Sequence, residues 1–309
     1  MYFPVIRSKR YELLALRDLA KQIVEHGRIV PIIEPMNING DLERAFDSFI
    51  QATMSFCLIA NPEVGDLQNV PMSQTKADIF DALLPEYDNV VPTMYLRGET
   101  SVQQIDEFIE LFPGQKAFFF LQDAVDAVVD AAVRADPVYA MFRRGGNVNA
   151  ATVARFAVEK RVEIAESFTP ADTNADYPDQ EPFSTQHQTT PNESFAHFGD
   201  YTIIGRAIQE GWAPYCVVIH YVYIDNGHPG PLWIRHYKSD SNATQADPGG
   251  KYSEALQKLI NDLPGLGAHN RTSATALYER EYANQHYPGL GTLKRRGIVH
   301  HVELVLTLI

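Results

Sequence analysis

Cysteine is scarce in this chain: two residues, Cys57 and Cys216, among 309. Both sit in apolar runs, so buried reduced thiols are expected, and neither a disulfide framework nor a cysteine-based zinc site follows from them. Long hydrophobic runs are missing too. None reaches the ~20 residues of a membrane span. The opening MYFPVIRSKR lacks the apolar core of a secretory signal, so a reducing, cytoplasmic setting is expected. Positive charge is in deficit: 26 Lys and Arg stand against 39 Asp and Glu, a formal net charge of -13. No global basic field is available to hold nucleic acid, which leaves that role to a local basic cleft. Sequence motifs are sparse as well. No G-x-G-x-x-G follows the first apolar run, which disfavours a dinucleotide fold, and no P-loop, G-x-S-x-G or H-E-x-x-H occurs.

What is present is a rhythm. Apolar runs at 2–6, 29–35, 55–61, 90–96, 116–122, 138–143, 161–167 and 215–224 read as strands. Helical patterns at 11–26, 41–54, 73–84, 101–112, 123–135 and 148–158 fall between them. Most of the runs are apolar throughout rather than alternating, as parallel strands buried on both faces require. Eight such units fit a (β/α)8 TIM-barrel-like domain spanning residues 1–309, with an open doubly wound sheet as the alternative. The rhythm breaks at 169–194, a polar, Pro-rich stretch without periodicity that reads as a long loop, either a lid or disordered. Beyond it, the turn DNGHPG at 225–230 joins 215–224 to 231–240 as an added antiparallel hairpin. Helices follow at 251–263 and 272–285, and a long apolar pattern closes the chain.

Ligands of βα proteins gather at the carboxyl ends of the strands. The polar residues expected there are Arg7, Lys9 and Arg10 after the first strand, Glu34 after the second, Arg97 after the fourth and Glu166 on the seventh. His220 sits inside the last apolar run and His236 on its hairpin partner, so the two meet if the register allows. Asp200 and Tyr201 follow the long loop as a cap or an anchor for a lid. Arg7, Lys9 and Arg97 suit phosphate by charge and geometry. Glu34 and Glu166 would position a divalent metal or a water, and His220 or His236 would shuttle a proton. Three cations beside a helix N-terminus are locally unfavourable. Their counter-charge is either Glu34 with Glu12 or a bound phosphate.

YFPVIRSKRYELLAL followed by RIVPIIEP resembles the start of the beta protein family of bacteria, prophages and satellite phages. FGDYTIIG, VVIHYVY, WIRHYKSDSN and YPGLGTLKRRGIVHHVEL resemble it in the same order. The family-like positions are Arg7, Lys9, Arg10, Glu12, Glu34, Asp200, Tyr201, Gly205, His220, His236 and Ser239. The resemblance implies a place in mobile-element antiviral defence cassettes, beside toxin-like or nuclease-like partners, and carries no reaction or catalytic residues with it. Two functions are expected from residues and resemblance together. One is a barrel that binds a phosphate-bearing ligand, a nucleotide or a nucleic-acid end, and hydrolyses a phosphodiester. The alternative is a non-catalytic immunity or regulatory subunit whose acidic surface restrains a basic, toxic partner.

Overall fold

The computed structural model describes residues 1–207, 214–225, 227 and 229–309. Positions 226 and 228 of the expected turn lie outside the described residues. Seven strands pair in parallel and in chain order: β1 (Tyr2–Arg7), β2 (Ile32–Glu34), β3 (Phe56–Ile59), β4 (Val90–Leu96), β5 (Ala117–Phe120), β6 (Tyr139–Arg143) and β7 (Arg161–Ala165). Strand β8 (Gln180–Ser184) joins a different sheet. Strand β9 (His197–Asp200) lies between β7 and β1 and closes an eight-stranded barrel. The (β/α)8 architecture expected from the rhythm is therefore present. Local signals start and stop its helices. Asn39 caps Gly40–Ala52 by accepting from the N–H groups of Asp41 and Leu42. Ser101 and Gln104 form a reciprocal capping box on Val102–Leu111. Gly27, at φ 62°, ends Arg10–His26 in the left-handed conformation.

The eighth barrel strand is not the run at 215–224. Closure needs only the four residues HFGD, too short and too polar to stand out in a sequence. Gly199 is essential to the seam, because a Cβ there would collide with the carbonyl of Phe3 and the side chain of Ile164. The Tyr2 hydroxyl donates to Asp200 across the same seam at 2.7 Å.

The run at 215–224 instead supplies β10 (Val218–Ile224), which pairs antiparallel with β11 (Leu232–Lys238), as the hairpin reading expects. Strand β8 adds to the far edge of β11. The stretch at 169–194 is thus not structureless. Its polar QEPFS becomes an edge strand, the one place in a sheet where Pro182 is tolerated.

The chain divides into two compact units. One comprises Met1–Ala165 and Thr189–Asp200, and holds the barrel. The other comprises Glu166–Gln188 and Tyr201–Ile309. In the second unit, Ile219, Tyr221 and Tyr223 of β10 pack with Leu256, Leu259 and Leu263 of the helix Pro248–Leu266 and with Tyr278 of the helix Ser273–Asn284. Strand alternation then turns His220 to the opposite face. No helix among the described residues is long and apolar enough to cross a membrane.

Candidate functional site

In the barrel unit, Arg7 and Glu34 end adjacent parallel strands in direct register. Both are buried, and Arg7 Nε lies 3.5 Å from Glu34 Oε2. The other carboxylate oxygen of Glu34 accepts the backbone N–H of Glu63 at 2.9 Å. Burial raises the Glu34 pKa, while the Glu63 N–H and Arg7 oppose the rise. Arg97 pairs with Glu63 at 2.8 Å, not with Glu34, and also donates to the carbonyl of Asn61. Glu12, in the first turn of Arg10–His26, accepts the N–H of Arg7 at 2.9 Å. Lys9 occupies the N-cap position half-buried, and Arg10 is exposed beside the ring of Tyr11. Arg7 and Arg97 thus meet carboxylates of the barrel itself.

The remaining expected residues divide between the units. Asp200 is the buried acceptor on the barrel seam. Tyr201, also buried, begins the second segment of the second unit. Glu166 belongs to the second unit, where it accepts the N–H of Arg206 at 3.3 Å. The carboxylates Glu34 and Glu166 therefore belong to different units. Among the described residues, no three His, Cys, Asp or Glu side chains gather closely enough to hold a metal ion.

The densest chemistry lies on one face of the second unit's sheet. His220 and His236 oppose each other directly across β10 and β11, with Nδ1 to Nδ1 at 2.7 Å. On the other side of His236, its Nε2 is 3.2 Å from Oε1 of Glu181 on β8. Aromatic rings wall the pair. Tyr177 stacks on His236 with centroids 4.7 Å apart, and Phe168 meets His220 edge-on at 5.0 Å. Both imidazoles are held neutral. Burial first, then the neighbouring histidine and Lys294, push His220 well below the ordinary histidine value. Burial and Lys238, opposed by Asp179, bring His236 to about 4. Burial raises the Glu181 pKa. The side chains here are arranged for proton transfer.

A cleft of about 550 Å³ touches His236 but not His220; three cations, Arg235, Lys238 and Lys258, line it together with the acids Asp179 and Asp262. Lys238 pairs with Asp179 and Lys258 with Asp240, and the side chains of both acids are largely exposed at 95% and 79%. Such exposed pairs hold by roughly 1 kcal/mol or less, so an incoming anion can displace the carboxylates at little cost. Arg235 is held more firmly, because Tyr237 also donates to its partner Asp262.

No known protein-family model and no curated protein matches this chain.

Both histidines of this contact are among the residues singled out in the sequence; Glu181, Tyr177 and Phe168, which surround them, are not. Glu181 and Tyr177 lie in the polar stretch read as a loop. The available signal was the opposed pair of polar and apolar residues in QEPFS, which a strand interpretation would have placed beside β11.

A further buried histidine sets the acid stability. His300 donates from Nε2 to the carbonyl of Val222, and its Nδ1, an acceptor in the neutral ring, lies 2.7 Å from the Thr272 hydroxyl. Burial brings it to about 4. The stability that His236 and His300 contribute is present above the ordinary value of 6.5 and is lost as the pH falls towards 4. Glu34 and Glu181, shifted upward, act in the opposite sense: their share is full below the ordinary carboxylate value and fades as the pH rises. Thermal melts between pH 7 and 4 are expected to show a falling melting temperature, and His300→Gln should remove part of that acid sensitivity.

Proposed function

We propose that the protein is a phosphodiester hydrolase whose acid–base centre is the His220–His236 pair. The observation that carries this reading is the 2.7 Å contact between two neutral imidazoles, with a carboxylate behind one of them. A proton taken at one end of such a group can be stored at the other. The cleft at His236 supports an anionic substrate, since Lys238 and Lys258 form ion pairs with exposed acids and otherwise donate to backbone carbonyls. The order of motifs that resembles the beta protein family supports a place in a mobile-element defence cassette, with a nucleotide or nucleic-acid end as the substrate. Under this reading Arg7, Glu34 and Arg97 stabilise the barrel rather than grip phosphate.

The test uses bis(4-nitrophenyl) phosphate and end-labelled single-stranded RNA and DNA. His220→Gln is expected to lower turnover by at least ~100-fold, the usual scale of a lost general acid–base group. The melting temperature should stay nearly constant.

A second reading has its own support. The net charge of -13 suits a basic, nucleic-acid-directed partner, and Arg7 and Arg97 at the barrel's strand ends are matched by its own carboxylates. In that case the protein is a non-catalytic subunit that restrains a toxin-like or nuclease-like protein. Wild type would then turn over none of the probes, and His220→Gln would leave protection intact.

A further inference from the structure

We propose that Glu181, His236 and His220 form a directed proton chain that leaves Nε2 of His220 as the base of the site, with Glu181 as its positioning residue. The proposal rests on the hydrolase reading for its reaction, but its geometry stands apart from that reading. The three side chains come from three neighbouring strands and lie on one face of the sheet.

Proton counting fixes the direction. An ionised Glu181 can only accept, so Nε2 of His236 carries a proton and donates across the 3.2 Å contact. A neutral His236 has then no second proton, and its Nδ1 is a bare acceptor. The 2.7 Å contact therefore takes its proton from Nδ1 of His220. His220 is neutral in turn, so its Nε2 is left with a lone pair. Among the described residues, nothing donates a hydrogen bond to that nitrogen. The charged groups that act on the chain are Asp179, just ahead of β8, Lys238 on β11 and Lys294 on the helix Leu290–Leu306. Two of these three are cations, and with burial they oppose an imidazolium on either ring.

The chain solves the problem that this burial creates. A water gives its proton to Nε2 of His220. The Nδ1 proton of His220 moves to Nδ1 of His236, and the Nε2 proton of His236 moves to Oε1 of Glu181. Three protons have shifted, neither ring is charged, and the carboxylate has become a carboxylic acid. The hydroxide forms a bond to phosphorus as the P–O bond to the leaving group breaks. The reverse shift then delivers a proton from Nε2 of His220 to the leaving oxygen, so the products are an alcohol and a phosphate monoester.

The experiment is long-range 1H–15N correlation on the full chain labelled with [15N]histidine, with His220→Gln and His236→Gln used for assignment. At pH 7.5 the expected result is His220 as the Nδ1–H tautomer and His236 as the Nε2–H tautomer. On acidification towards pH 5, both tautomers should reverse together before either ring shows imidazolium shifts. The opposite tautomers at pH 7.5, or an imidazolium appearing before the reversal, would overturn the chain. Glu181→Gln keeps an acceptor for His236 but cannot store the proton. It should cut hydrolysis of bis(4-nitrophenyl) phosphate at least 10-fold while the melting temperature holds, and unchanged turnover in this variant would also overturn the proposal. If the wild type fails to hydrolyse the ester, the hydrolase reading falls, and the tautomers still decide the chain.

Discussion

Replacing Glu34 with alanine should destabilise the protein by about 3 kcal/mol, a loss of the size found when one member of a buried ion pair is removed. Glu34 and Arg7 end neighbouring strands in register, and their exposures are 3% and 7%. Removing the carboxylate leaves the Arg7 guanidinium buried without that counter-charge. It also takes the acceptor from the Glu63 N–H. Because Glu63 in turn holds Arg97, the damage should spread along the strand ends. Thermal melts give the loss directly. The double variant Arg7→Leu with Glu34→Leu should recover much of it, since paired apolar replacements of buried ion pairs are often near neutral. A melting temperature unchanged in Glu34→Ala would mean that the pair is not what holds the charge there, and would reopen the mouth as an anion site.

A larger effect is expected from Glu281→Ala in the second unit. Glu281 and Arg296 are both buried and bond through two contacts, Arg296 Nη1 to Oε2 and Nη2 to Oε1. Tyr252 donates to the same carboxylate at 2.5 Å, and the Arg296 guanidinium lies 5.5 Å over the ring of Tyr278. Alanine at 281 strands a buried cation and a buried hydroxyl together. The expected cost is roughly 3–5 kcal/mol for the ion pair and about 1–3 kcal/mol for the hydroxyl. That corresponds to a melting temperature lower by on the order of 10 °C or more. The network joins the helices Pro248–Leu266, Ser273–Asn284 and Leu290–Leu306, so the second unit should lose cooperativity first. Melting followed by tyrosine fluorescence would reveal this, and a variant as stable as wild type would contradict it.

Much of the barrel was legible because its strands are buried on both faces and so read as unbroken apolar runs. IVPII, SFCLI and AFFF could hardly be anything else at that spacing. The closing strand was not legible, because what HFGD contributes is a close approach at Gly199 rather than apolar area. The longer run at 215–224 looked like the better eighth strand on hydrophobicity alone. The meeting of His220 and His236 was written in the sequence only as an alternative, since the hairpin turn does not by itself fix which residues oppose. Register decided it, with Tyr221 and Tyr223 buried on the helix side and His220 turned the other way. Glu181 was hidden because polar edge strands look like loops: pattern reading weighs burial, and an edge strand has little of it. The composite site drawn from the sequence mixed residues of two units, since strand-end logic assigned every apolar run to one barrel.

On the proposed reading the acid–base centre is the histidine pair and Glu34 is a structural carboxylate. Parallel measurement of turnover on bis(4-nitrophenyl) phosphate and of melting temperature for wild type, His220→Gln and Glu34→Gln tests it most directly. His220→Gln is expected to lose turnover at least ~100-fold with its melting temperature retained, whereas Glu34→Gln should lose melting temperature and keep its turnover wherever it remains folded. The reverse pattern, an inactive but fully stable Glu34→Gln beside an active His220→Gln, would contradict it.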